Sequence, residues 1–279
     1  MTRAIDTGTE DLLAHVDGEV GVITFHRPDR RNALSLTTYE GFHRALPALA
    51  LDADVRVLML TGAGGAFCAG GDVKGMNAAH RGDSAEREGY ATGIDDRVAQ
   101  LRQFHRWVSL ALHEFPKPVV AALPGPAAGA GLSIALAADI RLAAERAIVV
   151  TAFANVGASG DFGGSWFLTQ LVGTAKAKEL YFTSPRLTAS EAHELGIVNQ
   201  VLPDEGFDDA ALAWCRDLAT RAPIATRLMK ENLNRALVCD LATALDAEAA
   251  NMVRSMSTAD HREAAAAFVE KRAPRFSGS

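Results

Sequence analysis

The chain has 279 residues, 48% of them hydrophobic and 22% charged, enough apolar material for one large domain or a domain with an appended helical part. Its net charge is −6 and it contains no Lys/Arg run, which argues against a nucleic acid as main partner while leaving room for a local basic pocket that takes an anionic ligand. Cys68, Cys215 and Cys239 form neither a CxxC pair nor an even framework, as expected of a protein kept in a reduced cytosol.

In chain order, "MTRAIDTGTEDLL" has no apolar segment of the kind a signal peptide needs. "HVDGEVGVITFHRP" (15–28) places an Asp-Gly pair before a β-branched run and predicts a hairpin. "NALSLTTYEGFHRALPAL" (32–49) has helical spacing at Leu34, Tyr39, Phe42 and Leu46, and "VRVLMLTG" (55–62) reads as a strand buried on both faces. Residues 77–95 are polar and patternless and read as a mobile loop. From Val98 the spacing Leu101, His105, Val108, Leu112, Phe115 predicts a helix that closes at "PKP". "KPVVAAL" (117–123) is the next strand and "GAGLSIALAAD" (129–139) the next helix. The apolar run 119–140 is long, but Pro124, Gly125 and Pro126 divide it into pieces too short to cross a bilayer. Strands are expected around "IRLA", "AIVV" and "GIVNQVL", with "GTAKAKELYFTS" as a helix between the last two. The alternation predicts an α/β sheet protein.

After "VLPDEG" the pattern becomes purely helical, with helices expected at 207–221, 223–237, 240–256 and 260–272. Pro223 suits a first helical turn, and Asp240 and Asp260 suit N-caps. The chain therefore divides into a core of residues 1–204 and a helical region of residues 205–279.

Two Gly-rich stretches carry the chemistry: "TGAGGAFCAGGD" (61–72) and "PGPAAGAGLS" (124–133), each directly after an expected strand. A GxGxxG starting at Gly62 would need glycine where Phe67 stands, and one starting at Gly129 would need it where Ile134 stands. There is no GxxxxGK[ST], no GxSxG and no HExxH, so dinucleotide, P-loop, nucleophile-elbow and metal readings lack support. Either stretch alone reads as a tight strand-to-helix turn. Two together can aim backbone N–H groups at a developing oxyanion, helped by the positive end of the 129–139 helix dipole. A third stretch, "GASGDFGGSW" (157–166), holds a single carboxylate, Asp161, among glycines. It is either a solvated turn or an acid/base.

"NALS", "FCAGGDVKGM", "KPVVAALPGPAAGAGLSIALAADIRLAAE", "LTASEAHELGIVNQVLP" and "FVEKR" together resemble the crotonase family, the enoyl-CoA hydratase/isomerases, from about residue 12 to residue 275. The resemblance implies a crotonase-like spiral of ββα turns, a C-terminal helical trimerisation part, and homotrimers or homohexamers built as dimers of trimers. It implies an acyl-CoA thioester as substrate, with coenzyme A as part of the substrate and no separate cofactor. Carried over by position, the thioester oxygen is held by the backbone N–H groups of Gly71 and Ala130. Ala33 and Ala69 line the adenine pocket, Arg30, Arg31 and Lys74 lie near the CoA phosphates, and Phe268 and Lys271 reach a neighbouring subunit's CoA. The same arginines and lysines read individually as solvated surface. Asp72 is expected to orient its loop, and Asp139 to be structural.

The pattern departs from the family where typical hydratases place two glutamates. Ser133 stands at the first of those positions and Phe153 at the second. The remaining carboxylate is Asp161, at the loop position where family isomerases carry an Asp acid/base. "DFGGSW" and the aromatic eight residues before Asp161 resemble the branch acting on 1,2-epoxyphenylacetyl-CoA. The leading expectation is an isomerase in which Asp161 is the only acid/base and an apolar wall such as Phe153 raises its pKa. The alternatives are a hydratase using Asp161 and a water, an enzyme using Asp161 as nucleophile as dehalogenating relatives do, and a CoA-binding scaffold without turnover.

Overall fold

The computed structural model describes residues 2–72 and 89–279; the expected loop at 77–95 falls mostly outside them, as does Lys74. The main sheet has seven strands in the order β1 (Thr2–Ile5), β2 (Leu12–Asp17), β3 (Val20–Phe25), β4 (Val57–Gly62), β5 (Val119–Leu123), β7 (Ile140–Ala144) and β10 (Gln200–Leu202). β1, β2 and β3 pair antiparallel, and β3 through β10 run parallel. The predicted hairpin is β2–β3, with Asp17 opposite Val20 across Gly18 and Glu19. A second sheet of three short strands holds β6 (Ala127–Ala128), β8 (Ile148–Val150) and β9 (Leu187–Thr188).

Strands β3, β4 and β5 are buried on both faces, which is why they read as unbroken apolar runs. One face, including Ile23, Leu58, Leu60 and Val119, packs against α1 (Leu36–Leu51), α2 (Ile94–His105), α3 (Ala130–Leu136) and α4 (Gly164–Thr183). The other, including Val22, Val57, Met59 and Val120, is covered by Phe207, Ala211, Cys215 and Ala219 of α6 (Phe207–Ala219). α5 (Ala189–Glu194), capped by Thr188 and Glu191, was not anticipated from the sequence. α7 (Pro223–Ala236), α8 (Leu241–Met256) and α9 (Ala259–Glu270) complete the chain.

Several expectations need correction. α1 starts at Leu36 behind a Ser35 capping box, so Leu34 lies outside it and bridges Gly71. α2 starts at Ile94, inside the expected loop, and passes without a break into a wide π turn at Arg106–Leu110 and a last short piece at Ala111–His113. Its core-facing residues are Phe104, Val108, Leu112 and Phe115, while Leu101 is exposed. The π turn holds one residue more than an α turn and so resets the face. α4 starts at Gly164, well before the predicted 173, and is kinked at Gly173. Asp240 caps α8 as expected, but α9 is capped by Thr258. Asp260 is buried and accepts hydrogen bonds from the Ser277 and Gly278 N–H groups.

Candidate active site

The adjacent parallel strands β3, β4 and β5 deliver three loops at their C-terminal ends, where open parallel sheets place ligand sites. These loops are sewn together by their backbones. The Leu34 N–H donates to Gly70 O at 2.8 Å, and the Ala69 N–H to Arg31 O at 3.0 Å. Cys68 bridges Ala127, and the Ala128 N–H donates to Cys68 O at 3.0 Å. The approach is tight enough to exclude side chains. A Cβ on Gly131 would stand 2.2 Å from Cys68 O, and one on Gly70 would stand 2.6 Å from Ala128 O and 3.1 Å from the Ala130 nitrogen. Ala130 is the first residue of α3, where an N–H has no partner within the helix. Among the described residues, neither the Gly71 nor the Ala130 N–H donates a hydrogen bond. Two unengaged donors on juxtaposed loops, one at a helix start, suit an oxyanion.

Asn32 holds this arrangement. It is 1% exposed, with φ 58°, and its side-chain N–H groups donate to Ala63 O and Ala66 O, both at 2.8 Å. Its Oδ1 accepts the Arg27 N–H at 2.8 Å. Ala33 is buried beside it, and Ala69 is half-buried on the facing loop, so the structure brings these two expected residues together. Arg30 is 3.7 Å from Asp72, which also lies 3.7 Å from Arg27, so Asp72 ties the two loops as expected. Arg31 is exposed in the left-handed region. Burial pushes the Cys68 thiol up to about 12, so it remains a neutral packing group.

Asp161 sits on the turn leading into α4. Gly164 donates its N–H to Asp161 O at 3.1 Å, and a Cβ on Gly164 would lie 2.2 Å from Ser133 Oγ and 2.7 Å from the Tyr181 hydroxyl. The turn is thus pressed onto the helix that opens with Ala130. Ser133 is buried, its hydroxyl donating to Gly129 O at 3.2 Å. Burial pushes the Tyr181 phenol up to about 12, with the neighbouring Ser133 hydroxyl opposing. Phe153 is buried, stacks on Tyr181 with ring centroids 5.8 Å apart and lies 3.9 Å from where a Cβ on Gly129 would stand. The immediate partner of Asp161 is one the sequence did not announce. His105 Nε2 lies 2.5 Å from Asp161 Oδ1, which also accepts the Phe162 N–H at 2.9 Å. Phe162 is fully buried at φ 50°, a costly conformation for an aromatic residue, and packs its ring on Tyr39 and edge-on to His105.

Phe268 and Lys271 are not brought to this site within the single chain. Phe268 is 86% exposed on α9, and Lys271 ends that helix in the left-handed region. Asp139 is structural as expected: it accepts the Val119 N–H at 2.7 Å and the Lys230 ammonium at 2.8 Å.

Comparison with known proteins identifies the family. The enoyl-CoA hydratase/isomerase family matches residues 15–279. The chain is 36% identical to a 1,2-epoxyphenylacetyl-CoA isomerase of Escherichia coli K12, over 96% of this chain and 99% of that one. It is 34% identical to a short-chain-enoyl-CoA hydratase of Clostridium acetobutylicum, covering 94% and 95% of the two chains. Among solved structures, an enoyl-CoA hydratase from Polaromonas sp. JS666 superimposes with a TM-score of 0.86 at 34% identity, covering 95% of this chain and 99% of that one. The structure has the crotonase fold with its C-terminal helical region, and the chain belongs to the enoyl-CoA hydratase/isomerase family.

Proposed function

We propose that this acyl-CoA enzyme is an isomerase that moves a double bond, or a related group, through a thioester enolate. Asp161 removes a proton from the carbon next to the thioester. The electron pair moves onto the thioester oxygen, which the Gly71 and Ala130 N–H groups hold. The enolate then takes the proton back from Asp161 at the far carbon of the original double bond, so that the double bond comes to lie next to the thioester carbonyl. One oxyanion-hole donor is typically worth about 3–4 kcal/mol of transition-state stabilisation. The observation that carries the reading is the carboxylate inventory: the two positions where hydration would need glutamates hold Ser133, tied to Gly129 and beside Tyr181, and Phe153, stacked on Tyr181. Asp161 keeps a partly exposed side chain, at 26%. The kinship with a 1,2-epoxyphenylacetyl-CoA isomerase supports the same choice and makes that epoxide a second substrate to try. The reading calls for no metal or cofactor beyond the CoA of the substrate.

Ala33, Ala69, Arg30, Arg31 and Lys74 are the residues we assign to the CoA moiety, with Phe268 and Lys271 reserved for a neighbouring subunit's CoA. Solvent-facing Leu233 on α7, Leu237 just after it, and Leu241, Leu245 and Met252 on α8 support assembly into homotrimers or hexamers. Three free cysteines support a cytoplasmic setting, and among the described residues no helix is long and apolar enough to cross a membrane.

The test is proton NMR of a 3-enoyl-CoA in D2O. Deuterium entering the chain together with double-bond migration, both lost in Asp161→Asn, is the expected result. A wild type that instead hydrates a 2-enoyl-CoA and leaves the 3-enoyl-CoA untouched would put the hydratase reading in its place.

A further inference from the structure

We propose that His105 is a positioning residue for Asp161, fixing which carboxylate oxygen exchanges the proton; this rests on Asp161 being the acid/base. An ionised carboxylate only accepts hydrogen bonds, so at 2.5 Å the His105 ring must present Nε2–H to Oδ1. The Phe162 N–H lands on the same oxygen at 2.9 Å. Both donors therefore engage Oδ1, and among the described residues no hydrogen bond reaches Oδ2. Oδ2 is left as the atom that takes and returns the substrate proton, with the carboxylate unable to rotate freely between its two oxygens.

The surroundings are built to keep the pair. The His105 ring lies edge-on to Phe162 with centroids 4.9 Å apart, and Phe162 stacks on Tyr39, which stacks in turn on Phe104 at 4.3 Å. Phe104 and His105 are the last two residues of α2 before the π turn, so the backbone that changes pitch there sets the imidazole. π turns recur at functional sites. The other titratable groups that feel Asp161 are Tyr39 on α1 and Tyr181 on α4, both phenols that burial holds in the neutral form. No other cation or potential cation is paired with Asp161 among the described residues. Among the described residues, His105 is thus the side chain that holds the carboxylate through an N–H.

The experiment compares wild type, Asp161→Asn, His105→Gln and His105→Leu. In protein labelled with nitrogen-15 histidine, a downfield ring N–H resonance of His105 is expected in wild type and should vanish in Asp161→Asn. A resonance unchanged in Asp161→Asn would overturn the pairing, whatever reaction the enzyme runs. In turnover, losing one hydrogen bond to a charged group should lower the kcat of His105→Leu about 10- to 100-fold with KM nearly unchanged. Glutamine carries an N–H to about the same place as Nε2 and should restore kcat to within about threefold of wild type. Equal loss in both variants would overturn positioning, because it would mean the imidazole itself is required. Undiminished kcat in His105→Leu would overturn it as well. A wild type that exchanges no deuterium would sink the isomerase assignment instead, and the resonance alone would then decide the pairing.

Discussion

At the scale of single residues, the site depends on polar and small side chains whose roles lie in the backbone they hold. Asn32 satisfies two carbonyls and one N–H of two loops while sitting in the left-handed region, which Asn tolerates better than most residues. Asn32→Ala leaves one buried and two part-buried backbone groups without partners and should cost about 2–3 kcal/mol, measured by denaturant unfolding. Gly131→Ala is a sharper probe. Its Cβ would strike Cys68 O, so the loop carrying Gly71 and the helix opening at Ala130 must separate. Overpacking should cost about 1–3 kcal/mol of stability. Displacing one oxyanion donor should lower kcat about 10²- to 10³-fold, read by deuterium exchange on the folded variant.

At the scale of elements, α7 is fastened to the core by the buried Leu228, by the Asn234 amide on His113 O and by the buried Lys230. The Lys230 ammonium meets Asp139 at 2.8 Å and the carbonyls of Leu112 and Lys117, and burial holds its pKa below the ordinary lysine value. Lys230→Ala should destabilise the protein by about 3 kcal/mol, since Asp139 and the carbonyls lose their cation. The last segment is closed by Arg272, which forks onto Glu263, while the Arg275 N–H also donates to that carboxylate. These bonds hold the Glu263 pKa down to about 2 from 4.5. A carboxylate depressed in the folded state lends stability that is present above its unfolded pKa and lost as pH falls towards the folded one. The stability difference between wild type and Glu263→Gln should be constant above about pH 5 and shrink below it, more weakly at high salt because the pair is open to solvent. Unfolding midpoints measured across that range check it.

At the scale of the whole molecule, the uncovered apolar residues concentrate on α7 and α8, where Leu241 is 75% and Leu245 53% exposed. If this face joins copies of the chain, Leu241→Lys combined with Leu245→Lys should yield smaller particles by light scattering while leaving the monomer fold intact. The layout of the molecule was legible in the sequence where one residue type answers one physical need. Continuous apolar runs marked β4 and β5, and small residues marked the loops after them. The partner of Asp161 was not legible, because a histidine on an apolar helix face reads the same whether it packs or pairs, and 56 residues separate the two. The Asn32 staple was hidden for a similar reason, since an Asn in a loop reads as solvated until its carbonyl partners, more than 30 positions on, are in place.

The wide turn at Arg106–Leu110 has a consequence for how such sites diverge. An α-helix turns by about 100° per residue, so removing the one surplus residue would swing everything on one side of the turn by that angle relative to the other. With Val108 and Leu112 anchored in the core, the swing would fall on the segment before the turn, and the ring now facing Asp161 would leave. A single-residue deletion, without any substitution, could therefore exchange the chemical company of the acid/base. Gene length, as much as residue identity, would then be a route by which relatives on this scaffold come to run different reactions.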